Sequence, residues 1–171
     1  MGGEDTADVS FRDFVAGRSA ALLRSAFLLT GDAGKAEDLL QTALAKTWRH
    51  WARVNREGTG EAYVRRVLYT TYASWWQRRW RAEVPTAEPP DREAADAYRG
   101  VEERTTLLRA LATLPAGQRA VVVLRFFEDR TEAETAELLT ITVGTVKSQT
   151  ARALARLRAS EIVAGLVEEE R

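Results

Sequence analysis

Three of the four prolines in this chain fall in one window, EVPTAEPPDREAADAYRG, residues 83–100. The same window is rich in acid and alanine and has almost no large apolar side chain. Such a segment cannot bury enough surface to offset the entropy of ordering it, so it reads as a flexible, acidic, proline-rich linker. The chain is thereby divided into about residues 8–82 and 101–162, and each half is expected to build its own small core.

Both halves read as helical. Phe11, Val15, Leu22, Ala26 and Leu29 recur at helical spacing, interrupted only by Arg18. Gly31 ends that helix and Asp32 can cap the next, in which Ala36, Leu40, Ala43 and Thr47 form the expected buried stripe. Residues 51–60 hold two glycines and mixed charge and read as a loop. A third helix is expected over about 61–81. In the second half, Pro115 separates two apolar helices. Thr131 and Glu134 then make a T-x-x-E capping box, and Thr142 can cap a last helix from Val143 to about Ser160. No useful period-two alternation occurs, so strands are not expected. The fold class expected is all-α, with two small helical domains.

Composition narrows the function. The formal net charge is zero, which argues against a chain that simply coats nucleic acid. There is no cysteine, which suits a cytoplasmic protein and removes disulfide and thiolate chemistry. The longest apolar run, Ala120 to Leu124, is far short of the roughly 20 residues that a spanning helix needs, so no membrane insertion is expected. Catalysis has little to work with. His50 is the single histidine, and Glu37 and Asp38 are sequential and so diverge on a helix. No catalytic residue, metal ligand or cofactor site is expected.

Against this neutral total, two helices are basic and free of acid. The first is VGTVKSQTARALARLR, residues 143–158, with Lys147, Arg152, Arg156 and Arg158. Val146, Thr150, Ala153 and Leu157 can face Ala136 and Leu139. Lys147, Ser148, Ala151 and Arg152 then share the outer face. A short capped helix, a tight turn and a basic helix make a helix-turn-helix, whose second helix lies in the DNA major groove. Lysine and arginine suit guanine acceptors or phosphates, and an alanine methyl suits thymine.

The second basic helix is YVRRVLYTTYASWWQRRWR, residues 63–81, in which five arginines alternate with tyrosine and tryptophan. Arginine can track phosphates while flat rings stack on exposed bases, as opened single strands require. Aromatic residues at helical spacing also serve as core, and the sequence leaves both uses open.

Joined in this order, DAGKAEDLLQTALAKTWRHW, the Trp/Arg helix and the GTVKS motif after T-x-x-E-x-A resemble the extracytoplasmic-function sigma factors of bacterial RNA polymerase. The resemblance spans about residues 10–160. It implies a region 2 domain at 8–82, a linker at 83–100 and a region 4 domain at 101–162. It implies that Asp38, Leu39, Gln41 and Thr42 grip the β′ clamp, and that region 4 meets the β flap. The −10 element is then met by Asn55 and Arg56 in the 52–60 loop and by Arg65, Arg66, Tyr69, Trp75, Trp76, Arg78 and Arg79. Thr145, Lys147, Ser148, Gln149, Ala151 and Arg152 are implied to read the −35 element. Promoter DNA, core polymerase and an anti-sigma factor are the implied partners. Two departures stand out. Thr140 occupies the usual turn glycine, and Gln149-Thr150 replaces the commoner Arg-Leu. The competing reading is a stand-alone helix-turn-helix regulator with an N-terminal sensing or dimerisation domain.

Overall fold

The computed structural model describes residues 2–82 and 102–160, so the expected linker lies outside the described residues. Helices α1 (Gly2–Thr30), α2 (Ala33–Trp48), α3 (Trp51–Arg56) and α4 (Gly60–Ala82) form the first half. Helices α5 (Glu102–Ala112), α6 (Ala116–Val122), α7 (Glu132–Leu139) and α8 (Val143–Ala159) form the second, with a π-helical segment, Val123–Phe127, extending α6. No strand occurs among the described residues, so the all-α class holds.

Local signals set the helix ends. Gly31 takes φ +69, a left-handed conformation that costs glycine little, and turns the chain out of α1. The Asp32 carboxylate then accepts from the Lys35 N–H at 2.7 Å, satisfying an orphan donor of α2. Ala36, Leu40, Ala43 and Thr47 are buried as expected, and Leu39 joins them. The Thr47 hydroxyl donates to the Ala43 carbonyl at 2.8 Å, so its burial leaves no unmet polar group.

The expected loop at 51–60 is instead a short helix and a turn. Trp51 and Val54, one turn apart, are both buried and hold the segment against α1. The Trp51 ring packs on Phe11 and Phe14 at centroid distances of 5.1 and 4.9 Å, and its indole N–H donates to Ser10 Oγ at 2.8 Å. Gly58, at φ +70, completes the turn into α4. Glycine and charge content suggested a loop, but two apolar anchors at helical spacing outweighed them.

In the first half, Leu22, Leu29, Leu39, Val64 and Leu68 are almost fully buried, each contributing about 1.5–3 kcal/mol by removal from water. The second half has two smaller clusters. Leu111, Leu114, Val122 and Ala153 make one; Val121, Ala136 and Val146, with Leu139 and Ile141, make the other. The halves also meet directly. Ala120, Val123 and Leu124 are buried in the cluster built by α1, α2 and α4, with Leu138 and Leu139 packed at its margin.

Candidate nucleic-acid interface

The helix-turn-helix is built from caps. Thr131 Oγ1 accepts from the Glu134 N–H at 3.1 Å, and the Glu134 carboxylate accepts from the Thr131 N–H at 2.7 Å. These bonds hold the Glu134 carboxyl below the usual carboxylate range. Thr140 ends α7 at φ 56, ψ 45, the left-handed conformation the turn requires although no glycine is present. Thr142 Oγ1 accepts from the Thr145 N–H at 3.1 Å and starts α8. Val146 and Ala153 are fully buried beneath it.

That seat turns Lys147, Ser148, Ala151 and Arg152 to solvent together, as the helical period predicts. Thr145 and Gln149 are half-buried at the edge of the face. The Thr145 hydroxyl lies 2.9 Å from that of Thr142, so it is partly engaged in capping. Lys147 reaches Glu132 of α7 at 3.8 Å, an exposed pair of small energy that a phosphate can displace.

A second cationic surface lies between α2 and α4. It is an open groove of about 350 Å³ lined by Lys46, Arg49, His50, Tyr63, Val67, Thr70 and Thr71, with no acid in its wall. Lys46 Nζ donates to Thr71 Oγ1 at 3.2 Å, and the His50 ring meets Tyr63 edge-on at 5.9 Å. Arg66 is exposed on the same side of α4, between Tyr63 and Thr70. Two cations, a flat ring and hydroxyls along one channel can hold phosphates and stack a base. The sequence reading missed Lys46 and Arg49. The signal was the cation-rich end of α2, KTWRH, which aligns with the outer face of α4 only once the two helices pack.

The opposite side of α4 does something else. Arg65 and Tyr69 were expected to face a DNA strand, but both point into the contact between the halves. Tyr69 is fully buried, and its hydroxyl donates to Glu128 Oε1 at 2.9 Å. Burial, reinforced by the Glu128 charge, pushes its phenol well above the ordinary value. Arg65 lies 2.7 Å from Glu128 Oε2 and 3.2 Å from Glu61 Oε1. Tyr69 has no surface for a base in this packing, and Arg65 keeps only a small exposed edge. Trp75 and Trp76 are half-buried against the core, whereas Arg78 is exposed and donates to Ser74 at 3.0 Å. The Arg79 side chain lies outside the described residues.

On α2, Asp38 and Gln41 are exposed one turn apart, with Thr42 half-exposed beside them. Leu39 is fully buried, so it seats the helix and presents nothing to a partner. Asn55 and Arg56 are exposed on α3, and Asn55 Nδ2 donates to Ser10 Oγ at 3.3 Å.

The helix-turn-helix half, residues 104–157, matches the family model described as Sigma-70, region 4. The match to a relative extends over both halves. The chain is 44% identical over 156 residues to the RNA polymerase sigma-E factor of Streptomyces coelicolor, covering 91% of this chain and 88% of the relative. The chain belongs to the extracytoplasmic-function sigma factors of bacterial RNA polymerase. A second member, the sigma factor SigL of Mycobacterium tuberculosis, is 31% identical over 148 residues, with 82% of each chain covered. Two solved structures share the sigma factor's fold. One is the sigma factor RpoE in complex with the anti-sigma factor NepR from Bartonella quintana, at TM-score 0.67 and 24% identity, covering 88% of this chain and 95% of that one. The other is CnrH in complex with the cytosolic domain of CnrY, at TM-score 0.62 and 19% identity, covering 92% of this chain and 93% of that one. No described helix of this sigma factor is long and apolar enough to cross a membrane.

Proposed function

We propose that the chain works as a non-catalytic, cytoplasmic subunit that joins core RNA polymerase and reads two promoter elements with two surfaces. The outer face of α8, centred on Lys147, Ser148, Ala151 and Arg152, reads the −35 duplex, with Thr145 and Gln149 at its edge. The groove of Lys46, Arg49, Tyr63 and Thr70, with Arg66 beside it, holds the opened −10 strand. Asn55 and Arg56 on α3 and Arg78 further along α4 extend that surface. Asp38, Gln41 and Thr42 meet the β′ clamp, and region 4 meets the β flap. Residues 8–82 and 101–162 act as region 2 and region 4 domains joined by 83–100. An anti-sigma factor is the expected regulator, consistent with the complex in which the solved RpoE was captured.

The observation that carries this reading is the pairing of two acid-poor cationic surfaces within a chain related over both halves to a sigma factor. A sensing-domain regulator has no use for the α2–α4 groove. The test separates the surfaces. Lys46→Ala with Arg49→Ala should weaken retention of a −10 single strand by the holoenzyme by about tenfold, with a shallower salt dependence. Binding of a −35 duplex should be unchanged. Arg152→Ala should do the reverse, weakening −35 binding by about 1–3 kcal/mol if the contact is bidentate. Loss of both activities in either variant contradicts the assignment.

A further inference from the structure

The contact between the halves is centred on one carboxylate. Glu128 follows the π segment, where its N–H donates to the Val123 carbonyl at 3.0 Å, the wide bond that ends the α6 extension. Its side chain, 7% exposed, points back into the first half. Oε1 accepts from Tyr69 of α4 and from Ser25 of α1, and Oε2 faces Arg65 of α4 at 2.7 Å. The Arg65 contact is an ion pair without hydrogen-bond alignment. Arg65 is itself tied to Glu61, which Arg18 of α1 approaches at 3.4 Å. One acid of the second half therefore engages two helices of the first, beside the shared apolar contact of Val123 and Leu124.

We propose that Glu128 is a latch that holds region 4 against region 2 in a closed resting form of the free chain. Its chemistry suits the role. A buried carboxylate is stable only while its donors remain, so separating the halves strands Glu128, Arg65 and Tyr69 until water reaches all three. The contact is thus cooperative and gives two discrete packings, not a continuum. The closed form covers Arg65 and Tyr69 and holds α8 at one distance from the α2–α4 groove. Opening releases the two surfaces to engage sites whose spacing is set by something else.

The chain contains no cysteine, so Ala20→Cys and Ala133→Cys, both exposed, give two unique spin-label sites, one in each half. Pulsed electron–electron distance measurement on the full chain should give one narrow distribution. Glu128→Gln removes the charge at constant shape, and Arg65→Met removes its partner. Each should raise the population at longer distances by roughly ten- to a hundredfold, because each leaves one side of a buried ion pair without its opposite charge. Helicity should be unchanged. A broad distribution in the unsubstituted chain, or identical distributions in all three, overturns the latch. Loss of helicity in both variants equally overturns it, because the contact would then hold up the halves themselves and not their packing.

Discussion

Arg119 Nη1 donates to the Leu29 carbonyl at 2.8 Å, so a side chain of α6 caps the last turn of α1 in the other half of the chain. The same guanidinium donates through Nη2 to the carbonyls of Ala112 and Leu114 at 3.2 Å each, closing the end of α5. Arg119 is 6% exposed, and burial lowers its pKa from the ordinary arginine value. It stays inside because one planar fork meets three backbone carbonyls, those of Leu29 and Ala112 at helix ends and that of Leu114 in the turn between α5 and α6. Arg119→Met keeps the apolar stem and strands those carbonyls. Denaturant unfolding should show a loss on the order of 3 kcal/mol. A loss below about 0.5 kcal/mol would show that water replaces the fork without cost.

Thr140 stands where the helix-turn-helix turn wants glycine, and it holds φ 56 without a cap from its own side chain in the hydrogen-bond pattern seen here. A left-handed β-branched residue costs about 1–2 kcal/mol, against about 0.5–1 kcal/mol of extra unfolded-chain entropy for glycine. Thr140→Gly is therefore expected to stabilise the chain by roughly 0.5–1 kcal/mol, read as a higher denaturation midpoint at unchanged slope. A lower midpoint would mean that the threonine makes a compensating contact.

Gly60 opens α4 directly beneath Trp51. A Cβ there would lie 2.8 and 2.9 Å from two ring carbons, closer than packed atoms tolerate. Gly60→Ala should force the indole aside and cost about 1–3 kcal/mol in thermal or chemical melts. Trp51 also bonds Ser10, the residue that Asn55 reaches, so tryptophan fluorescence should shift as well. A melt and an emission spectrum both like those of the unsubstituted chain would contradict the described packing of α3.

Tyr69 gives the fold an alkaline limit. Its folded-state pKa is raised, by burial first and then by Glu128, so the folded chain disfavours the phenolate that the unfolded chain forms freely. The stability this provides is complete below about pH 10, the unfolded value, and falls as pH rises toward the folded one. Tyr69→Phe should flatten that decline when unfolding free energy is followed above pH 10. An unchanged slope would assign the decline to other groups.

Much of this molecule was legible in the sequence. Gly31 and Asp32, the Thr131–Glu134 box and the Thr142 cap act over three or four residues, so residue order alone exposes them. The outer face of α8 follows from the helical period, because Val146 and Ala153 leave one orientation open. What stayed hidden depends on helices meeting. Tyr69 and Arg65 look like a nucleic-acid face until Glu128 arrives from a segment whose π turn has no sequence signature. Lys46 and Arg49 look like an ordinary basic helix end until α4 completes the groove. Leu39 sits within a polar-looking stretch and is core because α2 is covered on a wider arc than its strict stripe suggests.

Run-off transcription with purified core RNA polymerase bears most directly on the central assignment. Core polymerase alone should give no promoter-dependent transcript. Added chain should produce one defined product, lost when either the −10 or the −35 element of the template is scrambled, and reduced by about tenfold with Lys46→Ala/Arg49→Ala. No defined product with core polymerase, together with tight binding of promoter duplex by the chain alone, would contradict the two-surface initiation mechanism.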